Sequence, residues 1–179
     1  MRAPFRSAVV SASVLTACLL SGQAWAASCA TVVKNFPAAA AGVKVEFVRP
    51  VVVSRSGQGD GTDILDLVTD HKIDGQLRCK GDQFVQFNAK IQASADEKLR
   101  DAFFRIEQAA LVSVVQWPTR KAARTLHAMT ADAADYLRAS IERGDVDLSG
   151  KVEEHAGGAA DIGLIWTQAE REFIVVAGE

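Results

Sequence analysis

Residues 54–67, SRSGQGDGTDILDL, contain the pattern closest to a metal site in this chain. Gly59, Gly61 and Asp63, followed by Leu65, reproduce most of the G-x-G-x-D-x-L turn that binds calcium in parallel β-helix proteins. One such turn supplies only part of a coordination shell, and the next tandem turn supplies the rest. Because the chain has a single copy, we interpret the stretch as a flexible glycine-rich bend.

The aspartates of this stretch do not fit an EF-hand either. Asp60, Asp63 and Asp66 are three residues apart, and no closing Glu follows at the required distance. Asp63 is suited to begin the next element as a cap. The glycines also lack the G-K-[ST] and G-x-G-x-x-G signatures of phosphate sites. We predict no metal and no cofactor.

Histidines offer a second route to chemistry. His71, His127 and His155 lie in different segments, and none has a second His, Cys or Glu at the spacing of a metal site. A group that forms only on folding, with His71 and His155 beside Asp70 or Glu154, would be an acid–base site. The simpler interpretation is three surface histidines.

Motifs of nucleophilic catalysis are absent. The sequence has no G-x-S-x-G, no S-x-x-K and no Cys within a catalytic signature. A triad scattered along the chain leaves no such fingerprint, so a small hydrolase-like enzyme with a non-local His/carboxylate site is an alternative. The sequence favours a non-catalytic protein and designates no catalytic residue.

The N-terminal segment predicts export. Arg2 and Arg6 precede an uncharged apolar run at residues 7–20, and Ala24 and Ala26 form an A-x-A cleavage site. This is the layout of a secretory signal peptide, and the apolar run is too short for a membrane span. We expect cleavage after Ala26 and a periplasmic or secreted protein.

An alternative processing site is the lipobox-like sequence at residues 15–18, where Cys18 would be lipidated. The apolar run continues beyond Cys18, so we expect no lipid anchor. Cleavage after Ala26 leaves residues 27–179 as a single domain. The 20 basic residues fall to 18 against 22 acidic ones, a net charge of −4, which argues against a nucleic-acid partner.

Two cysteines remain after cleavage, Cys29 and Cys79. In an oxidising compartment they can form one disulfide bond, which we predict; free or intermolecular thiols are the alternative. There is no C-x-x-C motif, so redox chemistry of the thioredoxin type has no support.

The first half of the chain is typical of strands. Residues 30–42 are interpreted as a short lead-in punctuated by Pro37 and Gly42. Residues 43–53 alternate as a strand, and Pro50 makes that strand an edge or bulged one. Residues 63–70 fit either a strand or a short helix, whereas residues 71–91 predict a hairpin that turns at Gly81.

The second half begins with helical periodicity. Residues 94–117 start with Ser94 and Glu97 in the spacing of a capping box, and Pro118 ends this helix and begins a second one. Gly144 is suited to stop the second helix, and the remaining residues return to strand alternation.

The order β-β-β-α-α-β-β predicts an α+β fold in which an antiparallel sheet packs on a pair of consecutive helices. Such a sheet can enclose an apolar pocket, lined by aromatic residues that are more often core than site. We therefore expect a binding or accessory module for a small apolar ligand or an envelope protein. A third hypothesis is an envelope interaction protein that uses the edge strand at Pro50.

Overall fold

A computed structural model describes residues 26–50, 61–145 and 149–178. The predicted signal peptide as far as Trp25, the alternative lipid anchor at Cys18 and residues 54–60 of the glycine-rich stretch lie outside these residues. The described residues form helices α1 (Cys29–Ala39), α2 (Glu97–Ser113) and α3 (Thr119–Arg143). Their strands are β1 (Val45–Val48), β2 (Thr62–Thr69), β3 (Asp74–Lys80), β4 (Gln83–Gln92), β5 (Ser149–His155), β6 (Ala160–Thr167) and β7 (Glu170–Ala177).

The strands form one antiparallel sheet in the order β1-β2-β3-β4-β7-β6-β5. The α+β class is confirmed, but the predicted element order is wrong in detail, since four strands precede α2 and three follow α3. Residues 63–70 belong to β2, which pairs with β1 on one side and β3 on the other. The alternation of β5 is weak in the sequence because it is an outer strand, in which only Gly150 is buried.

Helix α1 corrects the prediction that residues 30–42 are a lead-in. The Ser28 hydroxyl accepts a hydrogen bond from the Thr31 amide and so caps the helix. Val32 and Phe36 follow the buried Cys29 at helical spacing, so one face of α1 packs on the core. Pro37 lies in the last turn, where the helix ends two residues later.

Helices α2 and α3 lie where the sequence predicts a helical pair, with one boundary moved. Asp96, not Ser94, caps α2, because its carboxylate accepts a hydrogen bond of 2.8 Å from the Leu99 amide. Pro118 directly precedes α3. Gly144 ends α3 in a left-handed conformation with φ of 70°, as predicted.

All three helices pack on the same side of the sheet. Helix α1 contacts β1, α2 contacts β4 and β7, and α3 contacts β5 and β6. The core therefore lies between one helical layer and one sheet. Phe36, Phe87 and Phe173 are its largest fully buried side chains.

The disulfide bond between Cys29 and Cys79 is present, with a Cα–Cα distance of 6.1 Å. It joins the first residue of α1 to β3, across 50 positions of sequence. The Cys29 and Ala30 amides also donate hydrogen bonds to the backbone and side chain of Asp82, in the β3–β4 turn. The beginning of α1 is thus held at three points.

Candidate functional site

The turn between β6 and β7 fixes the residues of the candidate site. The Thr167 hydroxyl accepts hydrogen bonds from the amides of Ala169 and Glu170, at 3.2 and 2.9 Å. This closes a short turn and pairs Trp166 directly with Arg171 across the two strands. Both side chains therefore lie on the same face of the sheet, the face shared with buried Leu164 and Phe173.

Arg171 is a half-buried cation. Its guanidinium carbon lies 4.1 Å from the centroid of the Trp166 ring, in a cation–π contact. Among the described residues no side chain forms a hydrogen bond or ion pair with this guanidinium. Burial, followed by the positive charge of Arg100, lowers the pKa of Arg171, whereas Glu107 acts in the opposite direction.

Glu107 is the acidic group whose charge acts on the pKa of Arg171. It lies on α2 and is 4% exposed, a very low value for a carboxylate. Burial raises the pKa of Glu107 to about 8, and the charge of Arg171 opposes this rise. Below that pH the carboxyl group is mostly protonated. It therefore leaves the positive charge of Arg171 largely uncompensated.

A groove of about 340 Å³ lies beside this pair, between α3 and the β6–β7 hairpin. Arg171 lines it together with Arg138, whose guanidinium is already paired with Asp135 at 2.9 Å. The rest of the wall is mainly apolar and is formed by Ala93, Ala134, Leu137, Ile141 and Trp166, together with the polar residues Thr167 and Gln168. The combination of an apolar wall and one unpaired cation suits binding better than acid–base chemistry.

A larger groove, of about 610 Å³, contains His71 and lies at the β2–β3 turn. Two of its charged residues are paired with each other, since Lys90 lies 3.5 Å from Glu170. His71 Nε2 lies 3.7 Å from an Asp70 carboxylate oxygen, too far for a hydrogen bond. Of the three histidines in the chain, His71 in this groove is the least exposed, with 18% of its side chain exposed.

The structure separates His71 from His155. His155 pairs with Asp161 at the end of β5, and the strand register places it at the opposite end of the sheet from the β2–β3 turn. Its Nδ1 lies 2.6 Å from an Asp161 oxygen, and this hydrogen bond, aided by the charge of Asp161, raises the pKa of His155. The four-residue group of His71, His155, Asp70 and Glu154 is not assembled. His127 stacks on Phe104.

The two described aspartates of the glycine-rich stretch do not converge, and Asp60 lies outside the described residues. Asp63 and Asp66 are both in β2, three positions apart, so they point to opposite faces of the sheet. Asp63 lies 3.9 Å from Arg49, and Asp66 accepts a hydrogen bond from Gln76. Within the described ranges, no group of three or more His, Cys, Asp or Glu residues could hold a metal ion.

Sequence reasoning missed Arg171 and Glu107. A hairpin with a two-residue turn at Gln168 and Ala169 would have placed Trp166 opposite Arg171. Glu107 follows the buried Phe103 by four residues and therefore lies on the apolar side of α2. This spacing could have predicted a buried carboxyl group.

Comparisons with models of protein families, with curated proteins and with solved structures find no match to this chain. Within the described part of the chain, no helix combines the length and the apolar character that crossing a bilayer requires. The geometry of the two grooves is therefore the main indication of function in the described residues.

Proposed function

We propose that the protein is an exported, non-catalytic binding module that holds a small apolar ligand in the groove between α3 and the β6–β7 hairpin. The observation that supports it is the mainly apolar wall beside a half-buried arginine that forms no ion pair with any described acidic residue. The groove is near the lower end of the range of about 300–1,000 Å³ typical of small-molecule sites, so a small ligand fits it.

Native mass spectrometry of protein purified under mild conditions tests the module. We expect an added small-molecule mass on the natural chain and on Tyr136→Asp, a change at an exposed α3 residue outside the groove. Ile141→Asp places a charge in the wall of the groove and should remove that mass. Retention of the ligand by Ile141→Asp would contradict the proposal.

The proposal includes export, with cleavage after Ala26. A disulfide bond is typical of an oxidising compartment, and the bond between Cys29 and Cys79 supports export. The exported protein should have a mass that starts at Ala27 and lacks the two hydrogens of the cysteine thiols. A chain that starts at a lipidated Cys18 would overturn this part.

A hydrolase-like enzyme is the second candidate, because His71 is partly buried and lines two adjoining grooves. His71→Ala should then abolish a hydrolytic activity with little change in melting temperature, and His155→Ala should not. Equal activity in His71→Ala and the natural protein would remove this candidate.

An envelope interaction protein is the third candidate. Strand β1 is a sheet edge that ends two residues before Pro50, and an edge strand can pair with another protein. In that case Glu46→Pro should prevent co-purification of a partner while the monomer remains folded.

A further inference from the structure

The Arg171 guanidinium is incomplete as a hydrogen-bonding group. An arginine carries five N–H donors in a planar fork, which matches a carboxylate in a two-bond contact. In this structure the guanidinium is half-buried on the Trp166 ring, and no acceptor from the described residues meets it. Contact with the ring restricts the side chain, which reduces the cost of ordering the guanidinium on binding.

No carboxylate of the adjoining elements fills this role. Asp135 on α3 is paired with Arg138 at 2.9 Å, and Glu170 on β7 is paired with Lys90 at 3.5 Å. Glu107 is buried and mostly protonated at neutral pH. An anion must therefore come from outside these residues.

The electrostatic surroundings favour an anion. Arg100 is near enough to Arg171 for the two positive charges to disfavour each other. An incoming negative charge would relieve this repulsion and would accept hydrogen bonds from the N–H donors of Arg171. Below the pKa of Glu107, the protein has no compensating charge at this position.

We propose that the ligand of the groove is a small amphiphilic monocarboxylate, whose carboxylate binds the Arg171 guanidinium while its apolar body lies against α3. This inference rests on the proposed function, because it assigns the chemical class of the ligand to the same groove. The apolar body would contact Ala134, Leu137 and Ile141, which line the groove from one side.

The test compares three compounds with the same ten-carbon chain: decanoate, decanol and decyltrimethylammonium, each below its micelle concentration. Binding to the oxidised chain of residues 27–179 is followed through the indole N–H signal of Trp166, assigned with Trp117→Phe. We expect decanoate to bind at least tenfold more tightly than decanol, and decyltrimethylammonium to bind least.

Matched arginine variants locate the carboxylate. Arg171→Gln should weaken decanoate binding at least tenfold and leave decanol unchanged. Arg138→Gln, at the other arginine of the groove, should change decanoate binding less than twofold, because its guanidinium is already paired. Arg171→Lys keeps the charge without the fork, and it should give an intermediate affinity even if Arg171→Gln does not fold.

The outcomes separate the two proposals. Equal binding of decanoate and decanol, with no effect of Arg171→Gln or Arg171→Lys, would overturn the carboxylate inference and keep the apolar groove. Tighter binding of the cation would do the same. No response of Trp166 to any of the three compounds would overturn the groove as a binding site and the inference with it.

Discussion

Glu107 shows at the scale of one residue how burial changes chemistry. A carboxyl group on the core side of α2 has lost its hydration, and the charge of Arg171 compensates only in part. Because burial raises its pKa from the ordinary 4.5 to about 8, the native protein keeps this proton over a range in which the unfolded chain has released it.

The free energy of unfolding should therefore fall as the pH rises from 4.5 towards 8, by up to about 1.4 kcal/mol per pH unit from this group. Above pH 8 this contribution should stop changing. Glu107→Gln should remove this dependence, whereas Glu142→Gln, at an exposed position on α3, should retain it. Urea unfolding at pH 5.5, 7 and 8.5 measures the difference; parallel curves for Glu107→Gln and the natural chain would refute it.

For single residues, the sequence predicted the pairing of the two cysteines, but it did not predict which charged side chains come together in the fold. The two cysteines that follow the predicted signal peptide, Cys29 and Cys79, allow one intramolecular bond, and that bond is present. The cluster of Arg100, Glu107 and Arg171 depends on a contact between α2 and β7, two elements that are far apart in the sequence. Periodicity within one element does not carry that information.

At the scale of elements, Gly150 sets the approach of α3 to β5. A Cβ atom built on Gly150 would lie 2.0 Å from the Ala133 carbonyl oxygen, a backbone atom that cannot rotate away. The alanine-rich face of α3 and the glycine of β5 therefore let helix and strand pack closely.

Gly150→Ala should destabilise the protein by about 1–3 kcal/mol, because helix and strand must move apart. Gly163→Ala is the matched control in the neighbouring strand: its Cβ atom would meet only the Ile174 Cβ, at 3.9 Å, an ordinary contact. Thermal unfolding of the two variants measures the difference, and equal melting temperatures would show that α3 is not held at Gly150.

The disulfide bond is the second device at this scale, since it attaches α1 to β3. Loss of the bond should cost about 4 kcal/mol at most in the chain-entropy account for a loop of 50 residues. The double variant Cys29→Ala, Cys79→Ala should unfold at lower urea concentration than the oxidised chain. Reduction should lower the stability of the natural chain but leave the double variant unchanged; equal midpoints in all samples would contradict this role.

Element prediction succeeded where a segment carries its own period. Helices α2 and α3 and the hairpin of β3 and β4 follow from the 3.6- and 2-residue repeats of their own residues. The interpretation of residues 30–42 as a lead-in was wrong, and residues 63–70 fitted either a strand or a helix, because each segment is short. For the first, Ser28 and the packing of Phe36 decide in favour of a helix; for the second, pairing with β1 and β3 decides in favour of a strand.

At the scale of the whole molecule, the three helices pack on one side of the sheet, and each contacts different strands. The α+β class could be predicted, since segregated helical and strand segments leave few other layer arrangements. The strand order could not, because β7 is inserted between β4 and β6 by a contact between two distant parts of the chain. The groove is formed by α3 together with the hairpin of β6 and β7. The sequence could not predict it, because it too depends on contacts between distant parts of the chain.

The hydrogen bond from the Ala27 nitrogen to the Val114 carbonyl, 2.9 Å long, has a consequence for maturation. Val114 is the C-cap of α2, where the partial charge of the helix is negative. If the leader is cut after Ala26, this neutral amide becomes an ammonium ion at that helix end, which favours cations. Removal of the leader would then also add a charged contact between residue 27 and the C-terminal end of α2. The cleaved chain should be held there more tightly than its precursor.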